Sequence, residues 1–251
     1  MKFRYEDTTI TVNMPDRETL LAEIRQRLRE VRGFAVATIN LDHLVKLRSD
    51  AGFRGAYAAQ DLIVADGNPI VWLARTAGHR VALVPGSDLV LPMAALAADE
   101  DAPIALLGST AEVLDAAAAR LEALCPGLRV VARIAPPMGF DPRGPQAEAL
   151  LAELGATGAR VTFLALGAPK QEILAARGRE LLPAMGFLSV GAGIDFIAGA
   201  QTRAPVLVRG LALEWLWRAA SAPRRLGPRY AKCAAILPGE YLAARRQRRE
   251  G

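Results

Sequence analysis

The chain has 251 residues, 52% of them hydrophobic, and a net charge of +5. That is enough to bury one large α/β core and is too apolar for a disordered chain. No apolar run reaches the roughly 18–20 residues that span a bilayer, and two isolated cysteines (Cys125, Cys233) and two isolated histidines (His43, His79) argue against a disulfide framework or a Cys/His metal site.

Lys2–Tyr5 and Thr9–Val12 alternate around an Asp-containing turn and predict a hairpin. Asp16–Arg32 has helical periodicity and stops at Gly33. Phe34–Ile39 reads as a buried strand, followed by short helices over Leu41–Arg48 and near Phe53–Gln60. Leu62–Ala65 is a second buried strand, ending at Asp66-Gly67, and Pro69 opens a helix through Thr76. Arg80–Val84 is expected as a strand with a helix to about Ala98, and Ile104–Leu107 as a strand with a helix to Leu124. Leu128–Ile134 is a further strand, Pro136–Phe140 a loop and Gln146–Leu154 a helix. Val161–Leu166 and Phe187–Val190 are two more short apolar runs ending in glycine and polar residues. Beyond Pro205 the pattern is helical through Ala220, broken by Pro223, and helical again in pieces. Repeated strand–glycine–helix units predict an α/β fold with a mainly parallel sheet and helices on both faces.

Charge divides the chain. From Arg203 onward there are eleven Arg and Lys against three Glu, a net +8, which leaves −3 for the preceding residues. The expected organisation is a core over 1–202 and a basic helical C-terminal appendage over 203–251. A basic tail points to an acidic partner such as membrane phospholipid or a phosphorylated ligand. The tail is preceded by no recognised DNA- or RNA-binding module, so nucleic acid is not the expected partner. The N-terminal MKFRYEDTTITVN carries no signal-peptide core, and a cytoplasmic location is expected.

Ligands of parallel sheets bind at the C-terminal ends of strands. Asp66 stands at such an end, either as a general base or as the cap of the helix beginning at Pro69. Thr38, Asn40 and His43 form T-x-N-x-x-H at another; they offer hydroxyl, amide and imidazole, or simply make a turn. Lys170, Gln171 and Glu172 follow a third. Gly191-Ala192-Gly193 begins like a dinucleotide fingerprint, but Phe196 stands where its third glycine belongs, which argues against a dehydrogenase. Its backbone N–H groups, with Asp195 and Arg203 beyond, remain candidates for a diphosphate site. Gly108-Ser109-Thr110 is a phosphate candidate that an N-cap explains equally well. Asp99-Glu100-Asp101 has a metal-binding D-x-D form but precedes a strand, so it reads as a solvated loop and no metal is expected. In the tail, Leu213–Arg218 joins tryptophans to arginine, and Arg224, Arg225, Arg229 and Tyr230 follow; this suits either a diphosphate clamp or a membrane-surface helix.

Taken together these motifs resemble the WecG/TagA/CpsF glycosyltransferases, glycosyltransferase family 26. The matching residues are T-x-N-x-x-H from Thr38, A-D-G-x-P over Ala65–Pro69, G-x-P-K-Q-E over Gly167–Glu172 and G-x-G-x-D-F over Gly191–Phe196. They continue with Ala198-Gly199, Arg203–Pro205, Leu213–Arg218, Pro223–Arg225 and Arg229-Tyr230. The resemblance implies a Rossmann-like core and an inverting, metal- and cofactor-independent transfer from a UDP-sugar to a polyprenyl-diphosphate-linked acceptor in cell-surface polysaccharide synthesis. It implies Asp66 as base; Thr38, Asn40 and Gln171 as substrate contacts; and Arg218, Arg225 and Arg229 as diphosphate ligands on an appendage that completes the site at the inner face of the membrane. It also implies self-association into a homo-oligomer. An N-acetylmannosamine-type donor is favoured, with a glucosyl donor as the alternative and a non-catalytic nucleotide-binding membrane protein as a distant third.

Overall fold

The computed structural model describes residues 1–202 and 223–250. A two-stranded antiparallel hairpin, β1 (Lys2–Arg4) and β2 (Thr9–Thr11), precedes α1 (Arg17–Arg29). Then come β3 (Phe34–Ile39), α2 (Leu41–Ser49), α3 (Ala51–Ala58), β4 (Leu62–Ala65), α4 (Asn68–Thr76) and α5 (Gly86–Asp99). β5 (Ile104–Gly108), α6 (Ala111–Leu124), β6 (Val130–Ile134), α7 (Pro145–Ala156), β7 (Val161–Ala165), α8 (Lys170–Leu181), β8 (Gly186–Ser189) and α9 (Gly193–Ala198) complete the core. The last described element is α10 (Pro223–Glu250). Six strands form one sheet in the order β4-β3-β8-β7-β5-β6, with every pairing parallel. The fold is α/β with a parallel sheet, as the strand–glycine–helix units predict, and Rossmann-like, as the family resemblance implies.

The apolar runs are continuous because the central strands are covered on both faces. Phe34, Val36, Val64, Leu106, Phe163 and Leu188 point to the face packed by α1, α5, α6 and α9. Their alternates Ala37, Ile39, Ile63 and Ala65 meet the hairpin, α2, α3 and α4, while Leu107, Leu164 and Phe187 meet α7 and α8. β3 and β7 therefore send their chains to one face, and β8 and β5 send theirs to the other. Where neighbouring strands send their connections to opposite faces, open α/β sheets bind ligands in the crevice at the C-terminal ends.

Two predicted elements differ. Arg80–Val84 is not a strand. The free edge of β4 is already taken by the segment before α1: Ile63 N–H donates to Asn13 Oδ1 at 2.7 Å, and Met14 N–H donates to Ile63 O at 3.1 Å. Only the Ala65 carbonyl is left for Val84 N–H (2.8 Å), while Ala82 N–H turns to Pro15 O (2.7 Å). The second difference is the tail. The pieces expected after Pro223 are one 28-residue helix, α10, that carries Pro228 and Pro238 inside it. Proline at either position removes a backbone donor, but α10 is held by tertiary contacts with α2 and α4. Ile236, Leu237 and Ala244 join the core under α2 and α4, Arg48 pairs with Glu240 (2.8 Å), and Arg4 pairs with Glu250 (2.8 Å).

Helix α8 lies so close to the sheet that a Cβ at Gly178 would stand 2.3 Å from the Phe187 ring. Gly178→Ala must displace a fully buried aromatic. It is expected to lower unfolding free energy by about 1–3 kcal/mol, measured by urea denaturation.

Candidate active site

β3 and β4 run parallel, with Ile39 opposite Ala65. The ladder continues one step further: Asp66 N–H donates to Ile39 O at 2.8 Å. This brings Asp66 beside Asn40, whose Nδ2 donates to Asp66 Oδ2 at 3.2 Å. The same Asn40 caps α2, with Oδ1 accepting from His43 N–H at 3.1 Å. α4, by contrast, begins at Gly67 with no side-chain cap. The residue at the N-cap of α4 is thus Gly67, and Asp66 stands one residue before it. Gly67 has φ +96°, a left-handed value suited to glycine, and it turns the chain from the carboxylate into α4.

Thr38 is buried just below. A Cβ at Gly86, the first residue of α5, would lie 3.3 Å from both Thr38 Oγ1 and Ser189 O. Glycine there lets α5 close against the ends of β3 and β8. At β8 the chain turns through Gly191 (φ +53°), whose N–H donates to Gln171 Oε1 at 3.1 Å. Gly193 N–H returns to Val190 O at 3.0 Å. Both glycine amides are thus used within the protein, and the role left to these glycines is shape. A Cβ at Gly191 would meet nothing within 4 Å, whereas one at Gly193 would stand 2.8 Å from Val90. Asp195, in the first turn of α9, accepts from Ser109 Oγ at 3.0 Å across the end of β5. At about 4.8 Å between strands, the C-terminal edge of the sheet runs roughly 19 Å from Asp66 to Ser109.

Behind this front lies a buried polar layer that the motif reading reached only in part. His43 faces inward: Nδ1 lies 3.2 Å from the Tyr57 hydroxyl, the ring stacks edge-on with Phe53 and Tyr57, and it hydrogen-bonds the Thr38 backbone. Burial drives its pKa down to about 3, so it is a neutral scaffold residue. Glu172 is fully buried, and burial pushes its carboxyl up to about 7. Asp42 pairs with Lys46 (2.7 Å) and Arg229 of α10 (2.9 Å). Burial pushes the Asp42 carboxyl up, but Lys46 and Arg229 outweigh it and hold it below its ordinary value. Lys46 also donates to Ala168 O at 3.0 Å in the β7–α8 loop. The i,i+4 spacing of Asp42 and Lys46 was legible in the sequence; Tyr57 carries no local signal.

The remaining motifs are accounted for locally. Thr110 Oγ1 caps α6, accepting from Val113 N–H at 3.4 Å. Asp99, Glu100 and Asp101 pair with Arg25, Arg29 and Arg129 before β5 begins. Lys170 donates to Phe140 O at 2.7 Å and ties down the β6–α7 loop. Arg203 and Arg218 lie outside the described residues, as does the side chain of Arg225.

The model of the glycosyl transferase WecG/TagA/CpsF family matches residues 6–251. The chain belongs to that family. It is therefore a glycosyltransferase, and the Asn40–Asp66 pair lies where a parallel α/β transferase would hold its reacting groups. Among the described residues, no helix is long and apolar enough to cross a membrane.

The two buried groups act oppositely on stability. Glu172 is raised from 4.5 to about 7, so its contribution is whole below about pH 4.5 and lost as pH rises to about 7. His43 is lowered from 6.5 to about 3, so its contribution is whole above about pH 6.5 and lost as pH falls toward 3. Glu172→Gln removes the first slope alone. Relative to the parent, its unfolding free energy is expected to gain about 3 kcal/mol between about pH 5 and about pH 8, measured by urea denaturation at both.

Proposed function

We propose that this transferase moves a sugar from a UDP-sugar, with inversion and without a metal, to a polyprenyl-diphosphate-linked acceptor. The observation that carries the reading is the Asn40–Asp66 pair at the adjacent ends of β3 and β4. In a single displacement the acceptor oxygen forms a bond to the anomeric carbon as the bond from that carbon to the UDP oxygen breaks. The acceptor's proton passes to Asp66, which the Asn40 amide holds as an acceptor. Thr38 and Gln171 contact the donor. Gly191 leaves open space beside the β8–α9 turn, Gly193 lets that turn pack closely, and Asp195 lines its far end.

The leaving diphosphate needs positive charge. Arg203, Arg218, Arg225 and Arg229 of the basic appendage are the candidates. Arg229 supports this best: its pairing with Asp42 brings it to the helix that begins at Asn40. Arg245, Arg246, Arg248 and Arg249 are exposed on α10 and suit an anionic membrane surface at the inner face of the cell membrane. The site is then complete where the lipid-linked acceptor is. The donor is an N-acetylmannosamine-type sugar nucleotide.

Asp66→Asn is expected to lower turnover by about 10²–10⁴-fold while leaving UDP affinity within about threefold of the parent, no more than one ordinary hydrogen bond. The assay is UDP release with a prenyl-diphosphate-glycan acceptor and with UDP-N-acetylmannosamine and UDP-glucose in parallel; near-parental turnover removes Asp66 as base. Replacing Arg245, Arg246, Arg248 and Arg249 by Gln is expected to weaken binding to anionic vesicles by at least about a hundredfold, at ~1 kcal/mol per charge, measured by co-sedimentation.

A further inference from the structure

A fully buried carboxyl is a costly way to fill space, and the transfer described above gives Glu172 no task. Its surroundings define one. Glu172 Oε1 accepts from Gln171 Nε2 at 2.9 Å, and its backbone carbonyl accepts from Gln60 Nε2 at 3.1 Å. Gln60 is itself anchored on Ala56 O at 2.8 Å. Lys46 and Asp42 of α2 and Tyr57 of α3 are the charged and titratable groups around it.

Glu172 Oε1 can accept in either state: a carboxylate only accepts, and the protonated acid keeps its carbonyl oxygen as an acceptor. The Gln171 amide turns its NH2 toward that oxygen, and its carbonyl oxygen faces the other way. That oxygen takes the Gly191 N–H. The reverse orientation would set two donors against each other at Gly191. The turn in question has a left-handed residue at its start and open space beside it, so no side-chain packing on Gly191 holds it. We propose that Glu172 is a positioning residue: it fixes the orientation of Gln171 and, through it, the Gly191 turn that lines the donor side of the crevice. The link to the donor rests on the function proposed above; the link from Glu172 to Gly191 does not.

Glu172→Ala, Glu172→Gln and Gln171→Ala are compared with the parent by amide hydrogen exchange over residues 187–194 and by calorimetric binding of UDP. Alanine at 172 is expected to speed exchange at Gly191 and weaken UDP binding, each roughly tenfold, and Gln171→Ala is expected to match it. Glutamine at 172 keeps an acceptor oxygen and stays within about threefold of the parent. In turnover the loss falls on the donor KM rather than on kcat. Unchanged exchange at Gly191 in Glu172→Ala overturns the proposal, as does a Gln variant as impaired as the Ala variant. Where alanine at 172 prevents folding, Gln171→Ala carries the test, and unchanged protection of Gly191 there overturns it equally. If Gly191 responds but no protein binds UDP, the positioning role stands and the donor reading falls.

Discussion

The side chain of Asn40 holds two parts of this molecule in register. Its carbonyl oxygen caps α2, and its NH2 group holds the Asp66 carboxylate. Both bonds require the extended backbone at Asn40 (φ −135°) that ends β3. Both also require the parallel ladder that carries Asp66 N–H to Ile39 O. An amide is the side chain suited to this position, because it supplies an acceptor to the helix and a donor to the carboxylate. The first turn of α2 then places Asp42 between Lys46 and Arg229, and Lys46 reaches the β7–α8 loop. The start of one helix thus ties together the candidate base, a neighbouring loop and the C-terminal helix.

Behind the strand ends lie polar groups that are buried and largely bonded, although Gln60 Oε1 and Glu172 Oε2 have no hydrogen-bond partner among the described residues. His43, Tyr57, Gln60, Gln171 and Glu172 form a layer in which most donors find acceptors inside the protein. Such networks are strong when satisfied because the interior does not screen them. The cost is borne by ionisation: His43 is kept neutral, and Glu172 resists losing its proton. Close backbone approaches at Gly86, Gly178 and Gly193 complete the frame, since a Cβ at Gly178 or Gly193 would collide with a neighbour and one at Gly86 would be tight.

The C-terminal helix is part of the same structure. Ile236 and Ala244 lie in the core beneath α2 and α4, and ion pairs at Arg48–Glu240 and Arg229–Asp42 bracket its first two-thirds. Its far end keeps a cluster of arginines exposed. The helix is thus anchored to α2, whose N-cap is Asn40, and presents positive charge outward.

By itself the sequence determined the alternation of strand and helix, the parallel sheet and the ends at which chemistry is placed. Buried parallel strands must be apolar on both faces and must turn at glycine or polar residues, and that pattern is local. The order of motifs from Thr38 to Tyr230 was also local, and it marked the family. Tertiary structure alone decided what depends on neighbours. Arg80–Val84 has the composition of a strand, but Asn13 and Met14 occupy the edge it would need. The prolines at 228 and 238 read as breaks, but docking on α2 and α4 keeps one helix. Asp66 read equally as a cap or a base, and its bond to Asn40, 26 residues away, could not be read from the sequence around it. Glu172 read as the end of a motif, and only its burial beside Gln171 showed the orientation it imposes. Each of these is set by a partner distant in the chain, and local sequence carries no record of such partners.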